Sequence, residues 1–334
     1  MLEVTALRWT LTIGLILGLL ALDLGLAAAR PHVVKFREAT ISSILYIAVA
    51  VAFGLVFAAQ VGWAFGAEYF AGYIVEKSLS IDNLFIFVII MSTFAVPPKH
   101  QQKVLIFGIA LALLLRALFI ALGAALLSLF SFMFLIFGLV LIVTAVQLFR
   151  HRNVDPDVHD NVLVRVARRG LTVTRDYDGG RMFTRSAGRR AVTPLFIVLL
   201  AIGSTDLLFA LDSIPAIFGI TDDAYIVFTA NAFALLGLRA LFFLVKGLLD
   251  RLVYLSTGLA IILAFIGVKL VLHWAHSFDD RVPEISTNLS LIVIGVVLTV
   301  TTIASLIKVR RDPTARARAG SLTAEDPPDS LPTT

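Results

Sequence analysis

The sequence predicts an all-α polytopic membrane protein, nine transmembrane helices built around a 3+3 inverted repeat core. Three observations carry that expectation. The chain of 334 residues is 59% hydrophobic and only 15% charged, too apolar for a soluble protein to cover its surface. Apolar runs long enough to cross roughly 30 Å of hydrocarbon as helix recur along it. Two aspartates inside such runs share one local pattern, Ser-x-Asp-x-Leu-Phe, at Ser80–Phe85 and Ser204–Phe209.

The expected spans are Leu11–Ala29, Ile41–Val61, Tyr69–Ala95, Val104–Leu127, Leu129–Phe149, Thr193–Phe218, Ala224–Lys246, Leu252–His273 and Asn288–Lys308. Positive residues collect in alternate connections, as cytoplasmic loops require. They are Arg30, Lys35 and Arg37, then Lys99 and Lys103, then the segment Arg150–Arg190 with ten arginines. Lys246 and Arg251 follow, then Lys308, Arg310 and Arg311. This pattern places the N-terminus outside and the C-terminus in the cytoplasm of a plasma-membrane protein. The first span also resembles a signal peptide, with small residues near "LAAAR". Its removal would put the basic loops on the wrong side, so its retention is expected.

The net charge of +5 suits loops facing anionic lipid, and no aromatic-basic interleaving points to nucleic acid. With no cysteine, disulfides and thiolate metal sites are excluded. The expected organisation is two N-terminal helices over 1–67, three-helix repeats over 68–149 and 193–274, and an Arg-rich cytoplasmic loop with a hairpin over 150–192. An outer loop and last span cover 275–311, and a disordered tail covers 312–334.

The repeat rests on a second match. "LRALF" recurs at Leu115–Phe119 and Leu238–Phe242, each time in the span after an aspartate-bearing one. Three helices per half make each copy enter the membrane from the opposite face, the architecture in which transporters build midplane sites between halves. Asp82 and Asp206 are then expected to meet across the pseudo-twofold axis.

Charged residues at bilayer depth are costly and mark cavities, partners or ion paths. Asp82 and Asp206 are the first candidates, with Glu76 nearer the outer end of its span. Asp212 precedes Ser213 and Pro215, and the proline should kink the helix and free the Leu211 carbonyl. Carboxylate, hydroxyl and carbonyl oxygens suit Mg, Ca or Mn better than zinc or copper. Asn83 and Ser80 can supply further oxygens or simply join helices. Lys77, Arg116, Arg239 and Lys269 could neutralise the four acids one for one, and the sequence leaves their pairing open. Intramembrane proteolysis by paired aspartates lacks its Gly-x-Gly-Asp context here, so no enzyme activity is expected.

The stretches "EKSLSIDNLFIF" (Glu76–Phe87), "TPLFIVLL" (Thr193–Leu200) and "TDLLFALDSIPAIF" (Thr205–Phe218) resemble the signature segments of the TerC family of integral membrane proteins, named for tellurium resistance. The resemblance covers roughly Glu68 to His273. It implies manganese export from the cytoplasm, with Glu76, Asp82, Asp206 and Asp212 as metal ligands. Many members have a glutamate where this chain has Gly203, which leaves two alternatives: one ligand is missing, or the glycine lets the helix unwind and offers a carbonyl. The functional expectation is a secondary transporter exporting a divalent cation, Mn2+ first, by alternating access, with protons as counter-ion. The metal is substrate, and no cofactor is implied. The alternative is a membrane-assembly or tellurite-resistance scaffold without transport. Expected partners are the metal ion and the lipid bilayer, with homo-oligomerisation left open.

Overall fold

The computed structural model describes residues 4–29, 36–150, 162–174, 177–178, 180–186, 189–245, 253–279 and 281–312. The basic residues Arg30, Lys35, Lys246 and Arg251, and the tail beyond Asp312, lie outside the described residues. Long apolar segments become helices because only a helix satisfies every backbone group within one segment in lipid. The helices are α1 (Ala6–Ala29), α2 (Phe36–Val61), α3 (Trp63–Thr93), α4 (Pro98–Leu129), α5 (Met133–Arg150), α6 (Val162–Gly170), α7 (Pro194–Phe218), α8 (Ala224–Leu235), α9 (Leu238–Val245), α10 (Leu255–His276) and α11 (Thr287–Arg311).

Among the described residues, seven helices are long and apolar enough to cross a membrane, or eight if α8 and α9 form one span bent by 43°. The expected third span, α3, is 31 residues long. Glu68, Glu76, Lys77 and Asp82 keep it out of that set, and the count therefore falls short of nine.

Local chemistry sets the helix ends. Pro98 and Pro194 open α4 and α7, where a missing amide hydrogen costs nothing. Asp223 caps α8, its carboxylate accepting from the Tyr225 amide at 3.0 Å and the Ile226 amide at 3.4 Å. The break between α8 and α9 falls at Leu236–Gly237, where Gly237 has φ +79° and a Cβ would come within 2.7 Å of the Tyr46 side chain on α2. The Arg-rich segment contains α6 and a two-stranded antiparallel ladder, β1 (Phe183–Ser186) with β2 (Arg189–Val192), Phe183 opposite Val192. Helix α6 has no counterpart in the sequence reading.

Helices α3 and α7 form the centre of the bundle and run antiparallel. Leu84–Met91 of α3 share a core cluster with Leu195–Ile202 of α7, while a Cβ on Gly72 would meet Ile217 at the other end. Helix α3 also packs on α8, α4 packs on α7, and α5 packs along α10. The α5–α10 crossing is reciprocal: a Cβ on Gly138 would lie 2.8 Å from the Gly267 carbonyl oxygen, and one on Gly267 would lie 2.8 Å from that of Gly138. Helices α1 and α2 lean on α8 through an aromatic cluster in which Phe53 and Phe233 rings are 4.4 Å apart, and α2 also packs on α9. Leu11, Leu45, Leu114, Leu118, Val143 and Val300 point outward and are exposed, whereas Glu76 and Arg116 are fully buried. Apolar outside and charged inside is the arrangement of a chain whose solvent is lipid.

Candidate functional site

The site is built on two acidic helices and one arginine. On α3, Glu76, Ser80 and Asn83 recur at i, i+4 and i+7, so they line one face, and all three are buried. On α7, Asp206 and Ser213 repeat the i, i+7 spacing and are also buried. Arg116 reaches from α4 into the space between these faces and is 0% exposed.

Each terminal nitrogen of its guanidinium takes one acid and one neutral oxygen, one from each helix. Nη1 is ion-paired with Glu76 Oε1 and donates to Ser213 Oγ at 3.3 Å. Nη2 contacts Asp206 Oδ1 at 3.4 Å. With the Asn83 amide turned so that its nitrogen donates to the Leu79 carbonyl at 3.0 Å, its oxygen accepts from Nη2 at 3.1 Å. Glu76 Oε2, Asp206 Oδ2 and Ser80 Oγ are buried with no hydrogen-bond partner among the described residues, and so is the donor Arg116 Nε. Unsatisfied carboxylate oxygens at this depth are expensive, and a site that keeps them has unused capacity for a cation.

The remaining acids face elsewhere. Asp82 accepts from Ser256 Oγ of α10 at 3.3 Å. Asp212 accepts from Thr144 Oγ1 of α5 at 2.9 Å. The expected meeting of Asp82 with Asp206 is therefore corrected: Glu76 is the acid that meets Asp206, through Arg116. The expected convergence of Asp212 and Ser213 is also corrected. Neighbouring residues on a helix point about 100° apart, and here Asp212 faces α5 while Ser213 faces Arg116 of α4. Pro215 lies inside α7, which continues to Phe218. Gly203 does not unwind α7 either. It lies buried in the helix, where a Cβ would come 2.7 Å from Leu111 Cδ2 of α4.

The four intramembrane cations also part company. Arg239 donates from Nε and Nη2 to the carboxylate of Asp23 on α1, at 3.1 and 2.7 Å. Lys77 donates to the Ala234 carbonyl at 3.0 Å, next to the break between α8 and α9. Lys269 lines a separate cavity of about 340 Å³ with Glu68, Asp222, His273 and Glu284. Partial desolvation there raises the Asp222 carboxyl above the ordinary aspartate value, and His273 and Lys269 oppose the rise. One-for-one neutralisation fails: among the described contacts, Arg116 is the one cation of the four that meets candidate acids, and it meets two of them, Glu76 and Asp206. Among the described residues, no three of His, Asp and Glu converge in a metal-binding group. The Arg116 cluster instead offers two carboxylates with an amide and a hydroxyl.

Sequence reasoning missed Asp23, Thr144 and Ser256. Asp23 was legible as a charge inside an apolar span. The two hydroxyls had no signal, because serine and threonine are common in membrane helices.

The integral membrane protein TerC family matches residues 61–313. An uncharacterized membrane protein of Mycobacterium tuberculosis is 48% identical over 331 residues, covering 94% of this chain and 83% of its own. One from Myxococcus xanthus is 44% identical over 315 residues, covering 93% and 95%. The chloroplast thylakoid membrane protein TERC of Arabidopsis thaliana is 42% identical over 262 residues, covering 78% and 67%. No solved structure matches the chain. The central acidic helices and most of the bundle fall inside the matched region, and the chain belongs to the TerC family of integral membrane proteins.

Proposed function

We propose that this chain is a secondary transporter that exports a divalent metal cation, Mn2+ first among candidates, by alternating access around α3 and α7. The observation that carries the reading is a buried cation already held by two acids and two neutral oxygens contributed equally by antiparallel helices. Carboxylate, amide and hydroxyl oxygens are hard donors, suited to Mn, Mg or Ca. Four candidate acids against one guanidinium leave a negative excess that a dication would reduce.

Features of the packing support an inverted repeat. The contact of α3 with α8 is matched by that of α7 with α4, and the α5–α10 crossing is its own counterpart. The register that fits this pairs Glu76 with Asp206, Asp82 with Asp212, and Asn83 with Ser213, rather than aligning the two Ser-x-Asp-x-Leu-Phe motifs. Asp82 and Asp212 then hold equivalent places, facing α10 and α5 through single hydroxyls. In the mechanism, the ion enters from the cytoplasm past Asp82, is held between Glu76 and Asp206, and leaves past Asp212. Carboxylates that release a metal take up protons, which makes protons the counter-ion.

The test is Mn2+ efflux from proteoliposomes. Glu76→Gln and Asp206→Asn should each abolish it while the protein stays folded, and intact efflux in both would remove the mechanism. The scaffold reading draws on one fact: Arg116 already binds both acids, so the fold needs no ion. Under that reading the purified protein ignores Mn2+ and co-purifies with membrane proteins.

A further inference from the structure

We infer that Arg116 is a tethered counter-cation. It holds the Glu76–Asp206 pair while no metal is bound, and it must withdraw before a divalent ion can take the same oxygens. This rests on the transport reading above and adds a competitor built into the chain.

The contacts distinguish this role from a structural ion pair. A guanidinium retained for stability favours two parallel hydrogen bonds to one carboxylate, as Arg239 makes to Asp23. Arg116 instead touches one oxygen of each acid and leaves Glu76 Oε2, Asp206 Oδ2 and its own Nε unpaired. The two arginines lie in identical Leu-Arg-Ala-Leu-Phe segments, so the difference comes from their surroundings. Arg116 also contacts both helices equally, the place a transported ion would have to occupy to bridge them. One charge cannot fully neutralise two carboxylates, whereas one dication can. The arginine is thus a weaker occupant that keeps the acids from repelling each other between cycles and yields to the stronger one. Competition of this kind lowers affinity for the metal, which lets the metal leave.

The experiment is Mn2+ titration calorimetry on the purified full-length protein, with wild type, Arg116→Gln and Arg116→Lys, alongside transport assays. Arg116→Gln should bind Mn2+ at least about tenfold tighter, equivalent to about 1.4 kcal/mol, with KM and kcat for transport both lowered because release slows. Arg116→Lys keeps a charge on a single nitrogen that cannot make all four contacts, and its Mn2+ affinity should fall between those of wild type and Arg116→Gln. Unchanged or weaker binding by a folded Arg116→Gln, with wild-type binding intact, overturns the inference alone. A wild type that binds no Mn2+ overturns the transport reading beneath it. If Arg116→Gln unfolds without metal, added Mn2+ should restore its melting transition, and failure to recover in Mn2+ counts against the inference.

Discussion

Glu76 and Asp82 stand six positions apart on α3, about 120° around a helix, so they face different neighbours. Asp206 and Asp212 repeat that spacing on α7. The inner pair meets Arg116 and the outer pair meets hydroxyls, Ser256 for Asp82 and Thr144 for Asp212. Neutralising Asp82 or Asp212 should therefore slow Mn2+ passage without abolishing Mn2+ binding, as read by transport rate beside calorimetry. Equal loss of binding in all four acid variants would instead mean one shared site. Arg239 makes a separate prediction. Its two bonds to Asp23 tie α9 to α1, and Arg239→Ala should cost about 1.5–3 kcal/mol of stability. A detergent melting curve would show the loss, with Mn2+ affinity unchanged. The acidic residues themselves were legible as charges in apolar runs, and Glu76, Asp206, Asn83 and Ser213 could have been grouped by their i, i+7 spacing. Which of two identical arginine motifs would enter the site was not legible, because that depends on what stands opposite each.

At the scale of elements, α5 packs against α10 at a crossing where two glycines bring backbone against backbone. Gly138→Ala or Gly267→Ala places a Cβ 2.8 Å from the opposing carbonyl oxygen and should destabilise by about 1–3 kcal/mol through overpacking. Thermal denaturation measures this directly, and full stability in both variants would mean the crossing tolerates spreading. The α8–α9 break has a comparable cause. Gly237 adopts φ +79° against Tyr46, and a side chain there meets both backbone strain and a ring. The sequence reading ran through this break as one span because both pieces are apolar, and hydrophobicity carries no information about a bend. It likewise held unwinding of α7 at Gly203 as one of two alternatives, whereas close packing on Leu111 accounts for a small residue there.

For the whole molecule, the apolar exterior around a charged centre defines a multi-pass membrane protein, and orientation is the next property to measure. The chain has no native cysteine, so single replacements report sidedness cleanly. Phe278 and Arg185 are both exposed. Phe278→Cys should react with an impermeant maleimide in intact cells, and Arg185→Cys only after permeabilisation. The reverse result would invert the orientation and with it the direction of the proposed transport.

Composition, apolar run length and the placement of acids in those runs determined by themselves that this chain is a helical membrane protein with acidic intramembrane positions and TerC-like motifs. Those features follow from one-dimensional chemistry: the cost of exposing apolar surface to water and of taking charge out of it. Tertiary structure decided which acids share a cation, which arginine supplies it, and which helices cross at glycine. A side chain's partner is set by the rotation and depth of helices far apart in the chain, and local sequence does not encode those two quantities.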